Sequence, residues 1–228
     1  MSKISIIISR YKDFPDLSDM ENIVTEIRDL GHDARLIVYD KYHVSNLTHK
    51  FVSNIGRENF GWNDYVLSTW DNPDDFYIFA HPCSLVERVD KFEMFILLCR
   101  NTLDAIDAGK GFATPAPSRT LYADPSFSKR RLHIGGSLAN ASDVKLQNFS
   151  RTRYQNLGEW WSERSGNSPL IPQATLHGLC AGSKENLQSW GKQMWTNIME
   201  DIIEGGENGE ISHFLERAML SMVTGKYQ

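Results

Sequence analysis

The chain has 228 residues, 41% of them hydrophobic and 23% charged, a composition that belongs to a folded globular protein and excludes a disordered or fibrous one. A net charge of −5 argues against nucleic-acid binding through a broad basic surface, and no stretch reaches the ~20 apolar residues that span a bilayer. Cys83, Cys99 and Cys180 form neither a disulfide framework nor a zinc pattern, and with no signal-peptide design at the amino terminus the expected location is cytoplasmic.

Ile4 to Ile8 make a near-continuous apolar run. Such a run predicts a strand buried on both faces, as in a largely parallel sheet covered by helices. It stops at Ser9-Arg10-Tyr11-Lys12-Asp13, which supplies two cations, an aromatic ring and a carboxylate. Ligands of open α/β sheets sit beyond the carboxyl ends of strands. This terminus is therefore a candidate nucleotide platform, with a ring to stack a base and positive charge to face phosphate. An ordinary solvated loop fits the same residues. Capping side chains among Asp16 to Asp19, followed by Ile23, Val24, Ile27 and Leu30 at helical spacing, predict a helix that Gly31 stops. His32 to Asp40 reads as a second strand, completing a βαβ unit with a right-handed crossover.

A polar loop leads to Asn54-Ile55-Gly56-Arg57-Glu58. A glycine at a loop-to-helix junction lets backbone approach a ligand, and helix N-terminal amides favour anions. Arg57 suits a bidentate pair with phosphate or carboxylate; a turn glycine beside structural ion pairs is the alternative. Trp62, Tyr65, Val66 and Trp70 predict a helix broken by Asp71-Asn72-Pro73-Asp74-Asp75. Phe76 to Ala80 is a short aromatic strand running into His81-Pro82. At the end of a central strand His81 is a candidate metal ligand or phosphate contact, with Glu87 and Asp90 downstream as carboxylates for the same ion. A satisfied structural histidine and acids favoured at a helix start account for the same residues. A long helix through Phe92, Phe95, Ile96, Cys99, Leu103 and Ile106 ends at Gly109.

Residues 110–173 differ. Proline, glycine, serine and basic residues recur, and periodicity shows only around Leu132-His133-Ile134, so the stretch reads as a functional region or an insertion. Within it Trp160 and Trp161, beside Glu159 and Glu163, suit either a sugar-stacking acceptor platform or the packed face of an amphipathic helix. Ala174 to Ala181 predicts a short strand. Ser183 then caps a helix with Leu187, Trp190, Met194, Trp195, Ile198 and Ile202 on its apolar face. Gly205-Gly206-Glu207-Asn208-Gly209 is a turn before a last amphipathic helix over Ile211 to Val223. Glu210 and His213 at its start are candidates for a catalytic base or for capping. There is no P-loop, G-x-S-x-G elbow or H-E-x-x-H. The absence of a glycine-rich loop after the first strand disfavours a Rossmann-like methyltransferase.

Together Ser9-Arg10-Tyr11, Asn54 to Glu58, Asp71 to Pro82 and the closing Phe214-Leu215-Glu216-Arg217-Ala218-Met219 resemble a family of glycosyltransferase-like proteins of GT-A type. The chain is also similar to the small N-terminal glycosyltransferase domain of capsid-glycosylating proteins of large algal viruses, least so over residues 110–160. The resemblance implies one α/β domain over residues 1–228: a central, mostly parallel mixed sheet flanked by helices, with a nucleotide-binding half at 1–109 and an acceptor-side half at 110–228. It implies transfer of a sugar from a nucleotide-sugar donor, a UDP-sugar, to a glycan or glycoprotein acceptor, in the host cytoplasm if the chain is viral. Ser9, Arg10, Tyr11 and Asp13 would meet the uridine, and Arg57 the nucleotide or its diphosphate. GT-A enzymes usually carry an Asp-x-Asp metal motif where this chain has Ala80-His81-Pro82. Either His81 with a nearby acid holds a divalent ion, with Mn2+ the best match, or cationic side chains do its work. Glu210 and His213 fall where inverting enzymes of this type carry a base. The missing acid pair leaves a second expectation open, a non-catalytic nucleotide-sugar or carbohydrate-binding module of the same fold.

Overall fold

A computed structural model of the chain describes residues 1–10, 17–41, 48–80, 89–115, 120–122, 131–132, 138–139, 152–166, 173–175, 179–207 and 209–226. The opening apolar run is β1, Lys3–Arg10. Ile4, Ile6 and Ile8 join one hydrophobic cluster and Ile7 the other, as alternation along a strand demands when both faces are covered. β2, Asp33–Asp40, lies parallel to β1, and β3, Thr48–Phe51, extends the sheet beyond β2. On the other side of β1 runs β4, Phe76–Phe79, also parallel. β5 is Phe112–Ala113. β6, Thr120–Tyr122, pairs with β9, Gln173–Thr175, and β7, Arg131–Leu132, with β8, Leu138–Ala139, in two small separate ladders. β10, Cys180–Ser183, enters the main sheet antiparallel to both β4 and β5. The result is an α/β fold with a six-stranded mixed sheet of order β3-β2-β1-β4-β10-β5.

Helices cover both faces. α1, Ser18–Asp29, and α3, Val89–Asp107, pack on the face of Ile4, Ile6 and Ile8. α2, Arg57–Ser68, packs on the other. With it lie α4, Leu157–Ser165, α5, Lys184–Gln188, α6, Lys192–Gly205, and α7, Glu210–Thr224. Three local expectations give way. Leu17, not a polar residue, occupies the N-cap of α1, where its carbonyl accepts from Met20 and Glu21 at 3.0 Å each. The helix expected from Ser183 is two, because Gly191 at φ 81° interrupts it; Ser183 does cap the first, accepting from the Asn186 amide. Ala174 to Ala181 is likewise divided between β9 and β10.

The chain passes from β1 through α1 to β2 on one face, then from β3 through α2 back across β1 to β4 on the other. The winding reverses between β1 and β4, which makes their carboxyl ends the topological switch point. α2 crosses close over the end of β1 because Gly61 carries no side chain. A Cβ there would lie 2.7 Å from Ser9 Oγ and 2.9 Å from the Tyr39 ring. Gly61→Ala should therefore destabilise the fold by about 1–3 kcal/mol despite alanine's better helix propensity. Urea unfolding measures it, and a neutral or stabilising result would contradict this close approach. Among the described residues no helix is long and apolar enough to cross a membrane.

Candidate functional site

The carboxyl edge of β1 is built on ion pairing. Arg10 and Asp40 end β1 and β2 directly opposite each other. Arg10 Nε donates to Asp40 Oδ1 and its Nη2 to Oδ2 at 2.8 Å, a bidentate pair with 7% and 1% of the two residues exposed. The Thr48 hydroxyl of β3 donates to the same carboxylate. Two paired charges so deeply buried fix the strand ends in register. Beside them Lys41, 4% exposed, donates from Nζ to the Ile55 carbonyl at 2.7 Å. That contact holds the loop leading to α2 against the end of β2.

The start of α2 is tied in turn to the turn between α6 and α7. Gly56, the N-cap, has φ 62°, and no side chain caps the helix. Its amide donates to the Gly206 carbonyl at 2.9 Å, and Asn54 Nδ2 donates to Glu207 Oε1. A Cβ at Gly56 would collide with Ile202 of α6 at 2.1 Å, so this position requires glycine for both conformation and space. One turn on, Asn59 Nδ2 donates to the Ser212 carbonyl at 2.8 Å, and Asn63 Nδ2 to the Trp195 carbonyl at 2.9 Å. The motif around Gly56-Arg57-Glu58 and the one around Glu210 to Arg217 thus form one structural unit.

α7 is buried along its whole length, charged residues included. Glu210 is 1% exposed, and its Oε2 accepts from the Thr152 amide at 3.4 Å. His213, 2% exposed, has Nδ1 3.7 Å from Glu216 Oε2, and Glu216 also pairs with Arg217 Nη1. Glu58, in the first turn of α2, is completely buried, and its backbone carbonyl accepts from Ser9 Oγ at 3.3 Å. Charged groups are seldom buried this fully without partners. Among the described residues, buried charge is concentrated on α7 and at the ends of β1 and β2.

The expected site residues divide as follows. Ser9 and Arg10 lie at the switch point, but both side chains are committed to Glu58 and Asp40. Glu210 and His213 lie on the buried helix beside the α2 start. Trp160 and Trp161 correct the acceptor-platform expectation. Both are completely buried: Trp160 Nε1 donates to Asp201 Oδ2 at 2.9 Å, and Trp161 meets Trp190 edge-on at 5.2 Å. With no exposed ring face, neither can stack on a sugar. Glu159 and Glu163 are structural neighbours: Asn156 Oδ1 caps α4 by accepting from the Glu159 amide at 2.9 Å, the Glu159 carboxylate accepts from the Gln155 amide, and Glu163 accepts from Arg153 and Tyr154. Tyr11, Asp13 and His81 lie outside the described residues, as does the side chain of Arg57. Among the described residues no three His, Cys, Asp or Glu side chains converge to hold a metal ion. The manganese expectation therefore rests on His81.

Asp40, Lys41 and Asn59 were not singled out by the sequence. Asp40 had one signal, an acid ending the second strand after a cation ended the first. The acids of Asp71 to Asp75 belong to the opposite, amino end of β4. Asp74, 1% exposed, accepts from Ser5 Oγ at 2.7 Å and Tyr65 Oη at 2.9 Å and pairs with Arg35. Asp75 accepts from Lys184 Nζ at 2.8 Å and the Lys3 amide at 2.9 Å, and the Lys184 contact holds its carboxyl below the usual range. No protein-family model and no curated protein matches the chain, which leaves the chemistry of this edge as the guide to its function.

Proposed function

We propose that the chain is a glycosyltransferase of GT-A type that binds a UDP-sugar at the carboxyl ends of β1 and β4 and passes the sugar to a glycan or glycoprotein acceptor. One observation carries the reading: the winding reverses between β1 and β4, and open α/β sheets bind their ligands outside that reversal. α2 begins alongside with no capping side chain. Its first amides suit an anion, and Arg57, its first residue, adds a cation fit for diphosphate. Departure of a nucleoside diphosphate builds negative charge on the leaving oxygen while the sugar becomes oxocarbenium-like. Amide dipoles and a cationic side chain stabilise such a charge as it forms. A divalent ion such as Mn2+, with His81 among its ligands, is part of the proposal and when bound would add to that neutralisation. The motifs that resemble GT-A proteins support the same reading.

A second reading, a non-catalytic nucleotide-sugar-binding module, is favoured by the burial of Glu210 and His213, since a base must reach the acceptor hydroxyl. Calorimetric titration with UDP, GDP, CMP and their sugars, with and without manganese, tests the shared claim. The uridine set should bind best, and equal or absent binding across the set would defeat it. Arg57→Ala should weaken binding roughly tenfold to a hundredfold, the worth of one charge-assisted contact of about 1.5–3 kcal/mol. A variant that melts early yet binds normally would make Arg57 structural. Release of UDP from the donor then separates the transferase from the binding module.

A further inference from the structure

On the sheet face away from α2 and α7, α1 and α3 enclose a groove of about 340 Å³, within the size of ligand-binding clefts. Ile23 and Ile27 of α1 and Phe92, Ile96 and Leu103 of α3 line it. Cys99 lies among them, its thiol pushed up to about 12 by burial, so it stays protonated and behaves as a small apolar group. Two large apolar side chains on the same layer are strongly exposed: Leu30, in the groove wall, at 68%, and Leu97 of α3 at 41%.

The charges on this layer decide what fits. The described side chains of α1 and α3 include seven exposed carboxylates against two exposed arginines, Arg28 and Arg100. Asp19 and Glu26 line the α1 wall and Arg100 the α3 side. The α1 wall, with Asp19 and Glu26 and no cation among its lining residues, repels the same wall of a second copy and an anionic lipid surface, and attracts a cationic ligand with apolar groups. Asp19 and Glu26 are seven residues apart, two helical turns and about 10.5 Å along the axis. Residues i and i+7 of another helix repeat at the same distance.

We propose that the groove between α1 and α3 is a docking site for an amphipathic helix of a partner protein. That helix is about three turns long, with an apolar stripe at i, i+3, i+4 and i+7 and Lys or Arg at i and i+7 on the flank facing Asp19 and Glu26. The stripe fills the groove and covers Leu30, the mode by which helices enter apolar grooves. The cations set direction and register along α1.

A fluorescein-labelled 15-residue peptide of this pattern, with a leucine stripe and two lysines seven apart, tests the site by polarisation against the full chain. It should bind in low salt and weaken several-fold at 0.5 M salt. The double variant Asp19→Lys with Glu26→Lys, which changes only exposed side chains, should lose at least tenfold in affinity with an unaltered melting curve. A peptide carrying glutamate for both lysines should fail to bind. Absence of binding by the lysine peptide would overturn the proposal, as would binding indifferent to the double charge reversal. A dimer of the unmodified chain, seen by sedimentation and dispersed by the same double variant, would also overturn it.

Discussion

Arg10→Ala should destabilise the fold by about 3–5 kcal/mol, the cost of leaving one member of a buried ion pair without the other. Asp40 would keep the Thr48 hydroxyl but lose both guanidinium bonds while 1% exposed. Replacing both partners with apolar residues of similar size, Arg10→Met with Asp40→Leu, should recover most of the loss, because no charge then stays desolvated. Urea unfolding of the three variants measures the effect. The alternative carries a different signature: if Arg10 chiefly contacts nucleotide, Arg10→Ala melts like the parent and loses only ligand affinity. The structure favours the first outcome, since Nε and Nη2 of the guanidinium are already engaged by Asp40.

Trp160→Ala should cost about 3–5 kcal/mol, as expected for removal of a fully buried large aromatic. The ring lies 6.1 Å from that of Phe214 in the core shared by α4 and α7. Its indole N–H bonds the carboxylate that Arg164 also clamps at 2.6 and 2.7 Å. Trp160→Phe, which keeps an aromatic ring but loses the bond to a charged acceptor, should cost less, about 1.5–3 kcal/mol. A sugar-stacking tryptophan behaves in the opposite way. Its removal would leave the melting temperature unchanged and reduce acceptor affinity, so thermal melts with acceptor titration discriminate the two roles.

Much of the scaffold was legible. Ile4 to Ile8 announced a strand covered on both faces, and Ile23, Val24 and Ile27 announced the buried stripe of α1, because these spacings match the geometry of one element only. β3 was missed because most of its side chains at the sheet edge are exposed, leaving no apolar alternation to read. The antiparallel insertion of β10 could not be read locally either. Cys180-Ala181-Gly182-Ser183 is short and small, and its place depends on β4 and β5, distant in the chain.

The candidate site was legible only in pieces. Gly56-Arg57-Glu58 and Glu210 to Arg217 stood out separately as polar clusters at element boundaries. Their union depends on hydrogen bonds such as Asn59 to Ser212, 153 positions apart, and no local pattern encodes such a pairing. Tryptophan posed the sharper ambiguity. Stacking on a sugar and filling a core call for the same residue, and only burial against Phe214 and Trp190 assigns Trp160 and Trp161 to the core.

The sequence by itself determined the α/β class, the buried character of β1 and the positions where polar residues interrupt regular elements, because period and composition act over a few neighbouring residues. Tertiary structure alone decided which charges are already spent. Arg10 and Asp40 neutralise each other because parallel β1 and β2 end in register, and Asp74 and Asp75 brace the amino end of β4 because Arg35 and Lys184 reach them there. Whether a charged side chain is available to a ligand depends on what the fold sets beside it, and that is a property of distance in space, not of order along the chain.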